Sequence, residues 1–131
     1  MTPYLVKQTR GSSMDILDQT KPSAFSQAVS PEVAAALTRM MTQVTEVGTG
    51  KDARIPGVSV AAKSGTAEHG KDAQGRDLAP HAWFISFAPA DDPKVAVAVL
   101  IQDGGLAAPA PGPSFDAAPL AREVMKAVIS R

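Results

Sequence analysis

The sequence predicts an α+β fold, an antiparallel three-stranded meander flanked by helices. Three observations predict it. Apolar residues recur at helical spacing over 31–47 and again over 116–129, near the end of the chain. Three short apolar segments lie between them, over 58–63, 82–88 and 94–101. The last two are joined by a turn too short for a crossover helix, so they pair as an antiparallel hairpin.

The elements follow in order. Residues 1–8 hold a short apolar run after Pro3 and read as an edge strand. Residues 9–29 mix Gly, Ser, Thr, Gln and Asp without sustained periodicity and read as an irregular connection, with one short helical turn around 14–17. Ser30-Pro31-Glu32 is a helix start: a hydroxyl to cap free amides, a proline that needs no donor, and a carboxylate at the positive end of the helix dipole. Val33, Leu37, Met40, Met41, Val44 and Val47 then form one apolar stripe, which reads as core, and Gly48 and Gly50 stop the helix. Val58 to Lys63 alternates weakly as a strand. After a polar loop from His69 to Pro80, residues 82–88 place Trp83, Ile85 and Phe87 on one face, and that face reads as core. Pro89 to Pro93, with Asp91 and Asp92, is a turn; Lys94 to Ile101 is apolar on both faces. A loop with Gly104, Gly105 and a Pro-rich stretch over 109–113 precedes the final helix, Asp116 to Ile129. Both helices are expected to pack beside the sheet.

Composition narrows the function. With 131 residues, 44% of them hydrophobic, the chain can bury roughly two thirds of its unfolded surface as one domain. Thirteen basic residues balance thirteen acidic ones and are scattered, so no nucleic acid partner and no anionic surface is expected. The chain has no cysteine, which excludes disulfides, thiol nucleophiles and Cys-based metal sites. It has two histidines, His69 and His81, flanking the polar loop outside any zinc-ligand spacing, so they read as loop residues and no metal or cofactor is expected. The longest apolar run, Val95 to Ile101, is far below the roughly twenty residues of a membrane span, and no signal-peptide pattern opens the chain, so a soluble chain is expected.

Chemistry concentrates in Lys63-Ser64-Gly65-Thr66-Ala67-Glu68, expected at the end of the first strand of the meander. A cation, two hydroxyls and, between them, a glycine that lets another backbone approach suit a ligand laid along a strand edge. Such a cluster could hold a carboxylate and an oxyanion. A Lys-Ser/Thr-Gly triplet alone arises by chance in roughly 5% of chains of this length. Ser59, four residues before Lys63, lies roughly 13 Å away along an extended strand and cannot pair with it as nucleophile and base.

The triplet has company. Met41-x-x-Val44-Thr45-Glu46-x-Gly48-Thr49-Gly50-x-x-Ala53 precedes it, and Trp83-Phe84-Ile85-Ser86-Phe87-Ala88-Pro89 follows. With Val97 to Ile101, Ala117 to Arg122 and, more loosely, Pro3 to Val6, the arrangement resembles the C-terminal part of the transpeptidase domain of class B penicillin-binding proteins, its actinobacterial members in particular. That family uses Ser-x-x-Lys, Ser-x-Asn and Lys-Thr/Ser-Gly. Lys63-Ser64-Gly65 is the third. The chain contains no asparagine and no serine with lysine three positions on, so the first two are absent from it.

The resemblance implies that residues 1–131 are the C-terminal portion of a penicillin-binding/β-lactamase-like transpeptidase domain. It implies that Lys63 keeps the cleft electropositive and contacts the serine of the second motif, and that Ser64 and Thr66 bind the carboxylate of a D-alanyl-D-alanine end or a β-lactam. The backbone amide of Thr66 is one oxyanion donor, and Gly65 gives the close approach. It further implies a serine D,D-transpeptidase that cross-links peptidoglycan stem peptides and binds β-lactams, without cofactor, at the outer face of the cytoplasmic membrane. The partner is the remainder of the same domain carrying Ser-x-x-Lys and Ser-x-Asn. On this reading the chain by itself lacks a nucleophile. A D,D-carboxypeptidase or β-lactamase fragment, and a non-catalytic interaction module, are the alternatives.

Overall fold

The computed structural model describes residues 2–104 and 114–130. The chain divides into two compact units, residues 1–34 and 35–131. The first contains a two-stranded antiparallel hairpin of β1 (Gln8–Arg10) and β2 (Ile16–Gln19). Met14, at φ 67°, sits in the connecting loop, where its amide donates to the Gly11 carbonyl at 3.0 Å and the Gly11 amide donates to the Asp15 carbonyl at 2.9 Å. Beyond the strands the two arms stay side by side: the Thr20 hydroxyl donates to the Val6 carbonyl at 2.7 Å, and the Thr2 amide to the Ser23 carbonyl at 2.9 Å.

This corrects the expectation for the N-terminal segment. The strand expected over 1–8 begins only at Gln8, and the stretch expected to be irregular over 9–29 holds the second strand in place of a helical turn. No described residue of 2–34 is buried, so there was no apolar alternation to read.

The helix α1 (Pro31–Glu46) starts where the Ser-Pro-Glu signal places it. The Ser30 side chain beside Glu32 holds that carboxyl below its ordinary value. At the far end Arg54 binds the helix's last carbonyls, with Nε donating to the Thr45 carbonyl at 2.6 Å and a second guanidinium nitrogen to that of Glu46. A cation therefore sits on the negative end of the helix. Gly48 is needed for room and not for a left-handed turn: a Cβ there would meet the Val44 carbonyl oxygen at 2.9 Å.

The meander is as expected: β3 (Ala61–Ala67), β4 (His81–Ala88) and β5 (Val95–Ile101) form one antiparallel sheet in the order β3-β4-β5. The helix α2 (Ser114–Ile129) packs on it. The Pro-rich loop expected before α2 lies outside the described residues, apart from Gly104 at the end of a 3₁₀ turn, Gln102–Gly104. β3 starts three residues later than expected, so Lys63 lies inside the strand and not at its end.

The core inverts two expectations. Residues directly opposite each other share a face, and the buried face of β4 carries Ala82, Phe84, Ser86 and Ala88, while Trp83 is 40% and Ile85 46% exposed on the other. Trp83 and Phe87 are therefore not core; Phe87 is half-buried. The reason lies in α2, which presents Ala117, Ala118, Ala121 and Met125 to the sheet and leaves Leu120, Val124 and Val128 outward. Alanine faces bring helix and sheet close, and Phe84 fills the space between them. The apolar stripe of α1 is not core either: Leu37, Met40 and Val47 are exposed, and Met41 and Val44 are half-buried. Residues 35–46 are held instead through buried Thr45, whose hydroxyl lies 2.7 Å from the Val60 carbonyl.

Candidate functional site

The strand β3 changes character halfway. Ala61 and Ala62 are fully buried, while Lys63 and Thr66 are exposed and Ser64, Gly65 and Ala67 are half-buried. In the sheet order β3 is an outer strand, so its far edge has no strand partner among the described residues. The Lys-Ser-Gly-Thr sequence thus lies along an open sheet edge, a place where an extended ligand backbone can add as a further strand.

Pairing with β4 fixes the facing of each residue. Lys63 stands opposite Ile85 and Gly65 opposite Trp83, on the open face; Ser64 stands opposite Phe84 and Thr66 opposite Ala82. The Lys63 ammonium folds back to the Ser64 carbonyl at 2.7 Å. The Ser64 hydroxyl lies 3.1 Å from that of Thr49. Gly65 is not required by the strand's own packing: an added Cβ would meet only Trp83 Cβ at 3.5 Å, an ordinary contact. Its missing side chain leaves room for something else.

Thr49 is a residue that sequence reasoning did not assign to the site. It lies in the turn after α1 between Gly48 and Gly50, both pressed against Val44. The Gly-Thr-Gly spacing was the available signal, since two glycines that permit close approach hold the hydroxyl between them.

The other candidates lie elsewhere. Ser59 precedes β3, and its carbonyl accepts from the Ala90 amide at 2.8 Å. Asp91 and Asp92 lie in the bend between β4 and β5, with Asp92 paired to Lys94. A concavity of about 380 Å³, lined in part by Thr42, Thr45, Arg54, Val58 and Val60, sits under the end of α1 and does not include Lys63 to Thr66. His69 lies in the loop as expected, whereas His81 is the first residue of β4, and the two rings stack with centroids 3.8 Å apart.

Comparison with known proteins places this geometry in a family. Residues 1–126 match the model of the penicillin binding protein transpeptidase domain. Over 129 residues the chain is 48% identical to the peptidoglycan D,D-transpeptidase PbpA of Mycolicibacterium smegmatis, covering 98% of this chain and 26% of that protein. It is 46% identical to PbpA of Mycobacterium tuberculosis, with the same coverage of 98% and 26%. The crystal structure of the M. tuberculosis PBPA superposes with a TM-score of 0.81 at 43% identity, over 97% of this chain and 29% of that one. Its ceftriaxone acyl-enzyme complex gives 0.83 at 43% identity, over 97% and 28%. The chain spans about a quarter of the length of the curated relatives it matches. It belongs to the penicillin-binding protein transpeptidase domain family, in its class B branch.

Proposed function

We propose that this chain is the C-terminal portion of a serine D,D-transpeptidase domain and contributes the Lys63-Ser64-Gly65-Thr66 half of its active site. One observation carries the reading: these four residues lie on the outer edge of β3, where the buried half of that strand gives way to the exposed half.

The chemistry is acyl transfer. A serine from a Ser-x-x-Lys motif in the remainder of the domain attacks the penultimate D-Ala carbonyl of a stem peptide, and its hydroxyl proton passes to a neighbouring base. The tetrahedral oxyanion is held by backbone N–H donors, that of Thr66 among them. Collapse expels the terminal D-Ala, which takes up the proton at its amine. The acyl group then passes to the amine of a second peptide, which completes the cross-link and frees the serine.

Ser64 and Thr66 hold the substrate carboxylate, with Thr49 fixing the Ser64 hydroxyl from behind. Lys63 leaves its resting contact with the Ser64 carbonyl and turns into the cleft, where its charge stabilises the same anions. A β-lactam acylates the same serine and stalls there; the acyl-enzyme structures of the M. tuberculosis relative support this. The substrate places the protein at the outer face of the cytoplasmic membrane, anchored by a part outside these residues. Among the described residues no helix is long and apolar enough to cross a membrane.

Mass spectrometry after penicillin treatment tests the half-site reading. The 131-residue chain alone is expected to form no covalent adduct, and labelling is expected to appear when a segment carrying Ser-x-x-Lys and Ser-x-Asn is supplied. A stable adduct on any serine of this chain alone would put the nucleophile in the wrong place.

A further inference from the structure

Past the Lys-Ser-Gly-Thr residues, at the end of the sheet, three segments bring potential metal ligands to one point. His69 comes from the loop after β3, His81 opens β4, and Asp103 lies in the 3₁₀ turn after β5. One carboxylate oxygen, Asp103 Oδ1, lies 2.9 Å from His69 Nε2 and 3.7 Å from His81 Nδ1. The three donor atoms all fall within 4.8 Å of one another. Asp103 reaches this position from a left-handed backbone conformation, φ 54° and ψ 35°, which is uncommon for a residue with a side chain.

We propose that His69, His81 and Asp103 form a zinc site that clamps the β3–β4 loop to the turn after β5. Two imidazoles and one carboxylate are a donor set zinc takes readily. Donors about 2.0–2.1 Å from a tetrahedral zinc stand about 3.3–3.4 Å apart, and the two distances to Asp103 Oδ1 bracket that value. With the Asp103 side chain 51% exposed, the fourth position opens to solvent and takes a water.

Binding exchanges one set of contacts for another. His69 Nε2 now lies 2.8 Å from the Ala79 carbonyl, and His81 Nδ1 accepts the Asp103 amide at 3.1 Å. Coordination moves the His69 proton to Nδ1 and frees His81 Nδ1 from that amide. The rings lie within 19° of parallel, so each turns about its Cβ–Cγ bond to aim its lone pair at the ion, a torsion with broad minima. Sequence spacing argued against a metal because two of the ligands are twelve residues apart in the chain; the third stands 22 residues beyond His81 and only the fold brings it in. By register His81 stands opposite Ala67, next to Thr66, so the clamp closes the sheet end beside the candidate site.

The test uses the intact protein carrying this chain, stripped with a chelator and titrated with zinc sulfate by calorimetry. One saturable equivalent at micromolar zinc is expected, together with a rise in melting temperature. Asp103→Asn, His81→Gln and His69→Gln should each weaken binding by at least about tenfold, while Asp92→Asn leaves it unchanged. Cobalt(II) in place of zinc should give the intense visible absorption of four-coordinate nitrogen and oxygen ligation. Should a variant fail to fold, that spectrum in the unmodified protein decides. Absence of saturable binding, binding indifferent to Asp103→Asn and His81→Gln, or a pale octahedral cobalt spectrum overturns the proposal.

Discussion

The two faces of the β3-β4-β5 sheet differ in what covers them. The face under α2 carries Ala62, Ala82, Ala88 and Phe84 together with the half-buried Val95, Val97, Val99 and Ile101 of β5, and it meets a helix face of alanines and Met125. The other face carries Trp83, Ile85 and Leu100, all three exposed. The difference shows that the position of α2 decides which apolar residues of the sheet are core, more than their size does. Side-chain size points the wrong way on β4 because α2 packs on the face that carries Phe84 and not on the one that carries Trp83 and Ile85.

That contrast breaks most easily at adjacent positions of β4. Phe84→Ala should cost about 3–5 kcal/mol in urea denaturation, because the cavity it leaves is closed on every side. Trp83→Ala, one residue earlier and a larger truncation, should cost under about 1 kcal/mol. Equal costs would mean that the two faces are not energetically distinct.

A smaller effect sharpens the comparison from within the packed face. The Ser86 hydroxyl is buried with no hydrogen-bond partner among the described residues. Ser86→Ala removes an unsatisfied polar group at nearly constant shape, so stability should hold or rise by up to about 1 kcal/mol, read from the same denaturation curves. A clear loss would reveal a partner for that hydroxyl.

The smallest effect lies in the exposed loop between β3 and β4. The Arg76 amide, donating to Asp72 at 2.9 Å, holds that carboxyl below its ordinary value, and the Arg76 side chain and Gln74 amide add to this. Because the folded value is the lower one, the loop is stabilised above the ordinary carboxylate range and loses that stabilisation as pH falls through the lowered value. An NMR titration of Asp72 should show a midpoint below that of a free aspartate, and Arg76→Ala should move it up only part of the way, since the main donor is backbone.

Much of the fold was legible in the sequence, and the reasons differ by element. The start of α1 could be read because Ser30, Pro31 and Glu32 act locally on free helix amides. The order of helix, meander and helix followed from strand lengths and one short turn. Which face was buried could not be read, because it depends on the alanine surface of α2, more than thirty residues away. The β1–β2 hairpin gave no signal because its strands are short and bury nothing. At the candidate site the residues were legible and the setting was not. Lys63 to Thr66 stood out by chemistry, but their place within an outer strand and the approach of Thr49 needed the sheet register.

The central claim is that the exposed half of β3, Lys63 to Thr66, serves the active site while its buried half, Ala61 and Ala62, serves the fold. Acylation of the intact protein carrying this chain by a fluorescent penicillin, measured for Lys63→Ala together with its melting temperature, tests this most directly. The expected result is a fall in acylation rate of about two to four orders of magnitude with the melting transition unmoved, since Lys63 is exposed and its ammonium bonds the neighbouring carbonyl. An unchanged acylation rate, or a collapse of the melting transition in step with the loss of activity, would contradict the claim.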